Sequence, residues 1–113
     1  MRRSEKHFAT PATAALAKEV GAALRAARVA RRRTLDDAAE RARVSRRTLH
    51  RIESGDVAVA FGSWLAVIDS LGLLQLLSPL GKRASDAIGE ALRAERMPKR
   101  PRKAPSEDAR HDF

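Results

Sequence analysis

At 113 residues the chain is long enough to bury one compact core and too short to bury two. Lys and Arg number 23 against 14 Asp and Glu, a net charge of +9 that implies a polyanionic partner, and the absence of cysteine excludes disulfides and thiolate chemistry. The charge is unevenly spread: residues 25 to 51 hold ten arginines and three acids, whereas residues 54 to 81 hold only Asp56 and Asp69 and no base. A basic half beside an apolar half implies two surfaces, one for a polyanion and one for protein; the alternative is a solvated charged surface over a plain core. Nothing alternates like a strand over a useful length, so an all-α fold is expected. No apolar run follows the basic start MRRSEKHFAT to make a signal peptide. The most apolar window, residues 57 to 80, is broken by Ser63, Asp69, Ser70, Gly72 and Gln75, which argues for a soluble, cytoplasmic protein rather than a membrane one.

In chain order, residues 1 to 10 read as a flexible polar arm. Thr10 followed by Pro11 supplies an N-cap and a first helical position, and Leu16, Val20, Leu24, Ala27 and Ala30 recur on one helical face. Arg31, Arg32 and Arg33 end that helix, either as phosphate contacts or as cations that complement its dipole. Thr34 caps a second helix with Asp36 and Asp37 in its first turn and Leu35, Ala38, Ala39 and Ala42 inward. A corner falls at Arg43 and Val44. Ser45 then caps a third helix whose buried positions are Leu49 and Ile52, closed by Gly55. What remains outward on this helix is Arg46, Arg47, His50 and Arg51, a row of long donors that suits the major groove of DNA.

Residues 56 to 61, too short and isolated for more, read as a loop or a stray strand. Gly62 and Ser63 then open a helix with Leu65, Ile68 and Leu71 inward, ending at Gly72, and leave Phe61, Trp64 and Val67 on another face. Leu73, Leu74, Leu76 and Leu77 predict a short fifth helix stopped by Pro79. Four leucines in five positions exceed what one face of a small domain buries. They point to a dimer interface formed by Phe61, Trp64, Val67, Leu74 and Leu77, the alternative being an entirely intramolecular core. The compact domain is thus expected over residues 11 to 80. A helical extension over residues 81 to 97 carries a weak stripe of Ala84, Ile88, Ala91 and Leu92, and residues 98 to 113 form a basic, proline-containing disordered tail.

The stretch TLDDAAERARVSRRTLHRIESG, with Ala39, the Val44 and Ser45 entry to the third helix, and Glu53 followed by Gly55, resembles the XRE family of phage-repressor and Cro-like helix-turn-helix regulators. The resemblance covers roughly residues 17 to 73 and implies a five-helix repressor-like domain. It also implies an architectural ion pair between Arg28 and Glu53. Leu35 stands where that family often has a phosphate-binding glutamine, and Arg43 where glycine is usual, which implies a corner that is slightly strained or shaped differently. The segment from Ser63 to Leu74, the exit Leu80, Gly81, Lys82, Arg83 and the basic tail resemble the HipB-like members, whose partners are HipA-like serine/threonine kinases.

These readings converge on a sequence-specific regulator, nucleoid-associated, that binds a palindromic DNA operator as a homodimer. Arg46, Arg47, His50 and Arg51 are the base-contact candidates; Arg31, Arg32, Arg33, Thr34, Arg43, Ser45 and Thr48 are the phosphate candidates. Two roles stay open: an antitoxin that also neutralises a HipA-like kinase, or a stand-alone regulator. No enzyme is expected. His7, His50 and His111 are isolated, no phosphate-binding glycine loop precedes Lys82, and no metal or cofactor site is predicted.

Overall fold

The computed structural model describes residues 9 to 82 and 86 to 97; the expected arm before residue 9, Ala84 and the tail from Pro98 lie outside them. The described residues form five α-helices: α1 (Pro11–Ala30), α2 (Leu35–Ala42), α3 (Arg46–Glu53), α4 (Phe61–Ser70) and α5 (Ala87–Arg96). Short 3-10 turns occupy Leu74–Leu76 and Ser78–Gly81, and no strand occurs among the described residues. The chain divides into two compact units, one running to Ser78 and the other starting at Pro79.

Each of the first three helices begins on a hydroxyl in extended backbone geometry. The side-chain oxygens of Thr10, Thr34 and Ser45 accept from the backbone N–H of Thr13, Asp37 and Thr48 at 3.1, 3.0 and 3.0 Å, satisfying donors that the helix itself leaves open. Helix α4 starts without a side-chain cap.

The helices of the first unit all end the same way. In each, one N–H reaches the carbonyl five residues back, the N–H of the residue before it reaches the carbonyl three back, and that preceding residue turns left-handed. Arg33 N–H binds the Arg28 carbonyl at 3.2 Å, Val44 that of Ala39 at 3.1 Å, Asp56 that of Arg51 at 3.0 Å and Leu73 that of Ile68 at 3.0 Å. The left-handed residues are Arg32 (φ 57°), Arg43 (φ 60°), Gly55 (φ 81°) and Gly72 (φ 77°). The anticipated strain at Arg43 is therefore present, and Arg32 carries a second instance that the sequence did not signal.

The core of this unit gathers Leu24 from α1, three alanines from α2, Leu49 and Ile52 from α3, Val59, and Val67, Ile68 and Leu71 from the last helix and its end. Leu49 and Ile52 are 1% and 0% exposed. Helix α1 crosses α3 closely enough that a Cβ on Gly21 would lie 2.4 Å from the Ile52 carbonyl oxygen. Only glycine fits that crossing.

Four expectations are corrected. Helix α4 begins at Phe61, and its buried face is Val67, Ile68 and Leu71 with Trp64 packed against it; Leu65 lies off this core. Val67, 3% exposed, is core and has no surface to give a dimer. The leucine segment is one 3-10 turn rather than a fifth α-helix, because Gly72 ends α4 and Pro79 follows too soon for a nucleus of α-helical hydrogen bonds. On α1, Leu16 is 59% exposed and Ala30 is exposed too, since the neighbouring helices cover only the middle of this longer element.

In the second unit, Asp86 caps α5 by accepting from Gly89 N–H at 3.0 Å, and Glu90 pairs with Arg93 at 3.0 Å. Ile88 and Leu92 on this helix are exposed.

Candidate nucleic-acid interface

Helix α3 is held by its ends and its inner face, leaving one face to solvent. At its C-terminus Glu53 meets Arg28 of α1 in a bidentate pair: Arg28 Nε donates to Glu53 Oε2 at 2.7 Å and Nη2 to Oε1 at 3.1 Å. The two side chains are 11% and 6% exposed, and the third guanidinium nitrogen donates to the Arg33 carbonyl at 2.9 Å. The hydrogen bond to Glu53 raises the Arg28 pKa above its usual value, and burial pulls the other way without reversing it. The pair thus ties α3 to both α1 and the left-handed end that follows α1.

Arg46, Arg47, His50 and Arg51 occupy the opposite face of α3. Arg46, Arg47 and His50 line an open concavity whose floor includes Leu35 of α2. Their surroundings differ. Arg46 Nε lies 3.6 Å from Asp36 Oδ1 in a highly exposed ion pair, and Arg51 Nε donates to Asp56 Oδ2 at 2.9 Å. The side chains of Arg47 and His50 make no hydrogen bond or ion pair among the described residues.

The seven phosphate candidates separate into two groups. Thr34, Arg32 and Arg43 are exposed, and neither arginine side chain is engaged among the described residues. Ser45 is exposed with its hydroxyl donating to Thr48 Oγ1 at 3.0 Å, and Thr48 is half-buried. Arg31 and Arg33 instead hold the fold together. Arg31 donates to the Leu71 carbonyl at 3.0 Å and to that of Ala27 at 2.9 Å, and Arg33 donates to the Ser70 carbonyl at 3.1 Å. Two cations thereby satisfy carbonyls at the C-terminus of α4, the end that the helix dipole makes negative.

Sequence reasoning missed Asp36, Asp56 and Gly21. For Asp56 a signal existed: an acid directly after a helix-ending glycine folds back beside the residue five positions earlier, here Arg51. For Gly21 none did, because a helical glycine shows its purpose only against the helix it crosses.

An apolar groove of about 440 Å³, lined by none of the α3 residues, runs between α1, residues 57 to 59 and α4. Phe61, Trp64 and Leu77, three of the dimer candidates, line it with Leu16 and Val20. Leu74 is 41% exposed and Phe61 70%. No helix among the described residues is long and apolar enough to cross a membrane, and none of their His, Asp and Glu side chains cluster as a metal site would require.

The family described as helix-turn-helix domain matches residues 19 to 77, from α1 through the leucine turn. No curated protein and no solved structure shows significant similarity to the chain.

Proposed function

This chain belongs to the helix-turn-helix domain family, whose members bind DNA and regulate transcription, and from that premise we propose that it is a sequence-specific repressor occupying a palindromic operator as a homodimer. The observation that carries the reading is the row of exposed Arg46, Arg47 and His50 with half-buried Arg51 beside them, on a helix anchored from behind by the buried Arg28 and Glu53 pair. Arginine reads guanine O6 and N7 in the major groove, so a guanine-containing half-site is expected. Thr34, Ser45, Thr48, Arg32 and Arg43 set position on the phosphates, with Arg31 and Arg33 contributing charge behind them. The dimer brings two short recognition helices one DNA turn apart, which a single helix needs for useful discrimination. Its surface is Phe61, Trp64, Leu74 and Leu77 around the apolar groove.

The test is selection of bound sequences from a randomised duplex library, followed by affinity on the selected and a scrambled duplex. Arg46→Ala and Arg47→Ala should each cost about 1–3 kcal/mol on the selected duplex and relax the base preference, whereas Arg32→Ala should weaken both duplexes alike. Equal losses on both duplexes for the recognition-helix variants would refute direct readout. Phe61→Glu, at a position outside the monomer core, should give a folded monomer by sedimentation with operator affinity lost in parallel.

A second reading makes the protein an antitoxin that also holds a HipA-like serine/threonine kinase. Its support is the HipB-like character of residues 63 to 83 together with the exposed Leu16, Phe61, Leu74 and Leu76. Co-purification with a kinase encoded beside this gene supports it; a neighbouring gene of another kind leaves the stand-alone, cytoplasmic regulator.

A further inference from the structure

The three arginines of the recognition helix are held to different degrees, and the difference lies in acids that belong to other elements. Arg47 is untethered, Arg46 has a loose and exposed partner in Asp36 at 3.6 Å, and Arg51 has a close one in Asp56 at 2.9 Å. The Asp56 side chain is only 15% exposed against 77% for Asp36. Residue 56 is itself immobilised three ways. Gly55 turns left-handed before it, its N–H binds the Arg51 carbonyl at 3.0 Å, and its Oδ1 accepts from Ala58 N–H at 2.9 Å. The other carboxylate oxygen, Oδ2, accepts from Arg51 Nε. Main chain and side chain of residue 56 therefore both grip residue 51. The two terminal guanidinium nitrogens of Arg51 have no other partner among the described residues.

We propose that Asp56 is a specificity-determining residue: by occupying Arg51 Nε it locks the guanidinium so that its two terminal nitrogens form a preset fork for guanine O6 and N7, and it keeps Arg51 off the phosphates. The inference rests on the DNA reading above. A guanidinium held by Nε retains the parallel N–H pair that matches guanine, and a fixed rotamer loses less freedom on binding than a mobile one. An unheld arginine on a basic face has an easier alternative, since any phosphate oxygen accepts its donors without regard to sequence. Asp56 touches neither base nor backbone of the DNA in this scheme. It acts through Arg51 as a positioning residue, exchanging sequence-blind affinity for discrimination.

The experiment compares the wild type with Asp56→Asn, which keeps an oxygen for Ala58 N–H but places an amide or a neutral oxygen against Arg51 Nε. Both are taken through selection from a randomised duplex library and then titrated on the selected and a scrambled duplex over a range of salt. The wild type should enrich guanine at a definite column of each half-site. Asp56→Asn should lose that preference about tenfold at the single column read by Arg51, keep the others, bind the scrambled duplex more tightly, and steepen its salt dependence by about one unit of log–log slope per protomer. Simple removal of a negative charge would tighten all duplexes while leaving every column intact, and that result overturns the proposal. Arg51→Lys guards against a variant that does not fold: it keeps the charge and lacks the fork, and should lose the same column with scrambled affinity retained. Loss of a different column, or of none, again overturns it. A wild type that enriches no sequence overturns the DNA reading and this proposal together, whereas a wild-type motif copied column for column by both variants overturns this proposal alone.

Discussion

Two pairs of helix ends in this protein share one backbone motif and differ in the residue at its left-handed position. Helices α3 and α4 close on Gly55 and Gly72, in the apolar half; α1 and α2 close on Arg32 and Arg43, in the basic half. Glycine occupies such a position without steric cost, while a residue with a Cβ meets its own carbonyl there at about 1 kcal/mol. The motif alone accounts for the glycines. It does not account for the arginines, which add positive charge immediately before the N-termini of α2 and α3, the ends whose open N–H groups also favour anions. Backbone strain persists where the surroundings over-determine it. Here the Arg28 guanidinium, held by Glu53, grips the Arg33 carbonyl and secures the end that contains Arg32.

The largest effect is expected from removing that support. Glu53→Ala strands the Arg28 charge in a site with little solvent, at a cost of about 3–5 kcal/mol. For a unit of this size the midpoint of thermal unfolding should fall by more than about 10 °C. A melting temperature within a degree of the wild type would mean that the strained end stands without the pair.

The glycine ends can be told apart next. A Cβ on Gly55 would lie 2.6 Å from Lys18 Cα, whereas one on Gly72 meets nothing within 4 Å. Gly55→Ala should therefore cost both the left-handed penalty and the displacement of α1, together about 2–4 kcal/mol, and Gly72→Ala only the first, about 1 kcal/mol. Equal losses in denaturant titrations would show that conformation alone decides these positions.

The smallest effect has the opposite sign. Arg43→Gly should stabilise the fold by about 0.5–1 kcal/mol, because the strain is relieved and the exposed side chain holds no partner among the described residues. The same substitution should weaken selected and scrambled duplexes by a similar factor, since a phosphate contact carries no sequence information. A destabilised Arg43→Gly protein would assign the arginine to packing and remove the contrast with the glycine ends.

Much of the fold was legible because its signals are local. Thr10, Thr34 and Ser45 cap helices through hydrogen bonds three residues away, Gly55 and Gly72 end them, and Leu49 and Ile52 mark the inner face of α3, so the register of the helix-turn-helix follows from neighbours along the chain. Arg28 and Glu53 are 25 residues apart and came from resemblance rather than from spacing. The outward row of α3 was readable for the same reason that its buried face was: on a short helix, one implies the other.

What tertiary structure alone decided involves groups that meet across elements. Helix α4 has apolar residues almost all round, so periodicity could not choose between Leu65 and Val67; packing against α2 and α3 buried Val67. Three consecutive arginines look equivalent in sequence, yet the C-terminal carbonyls of α4 take Arg31 and Arg33 and leave Arg32 outside. Likewise Asp36 and Asp56 differ little as residues, and only the fold sets one loosely beside Arg46 and the other firmly against Arg51. The sequence by itself determined where helices start, stop and turn, because those choices are settled within five residues; which polar side chains are spent on architecture and which remain for DNA is settled by partners more distant in the chain.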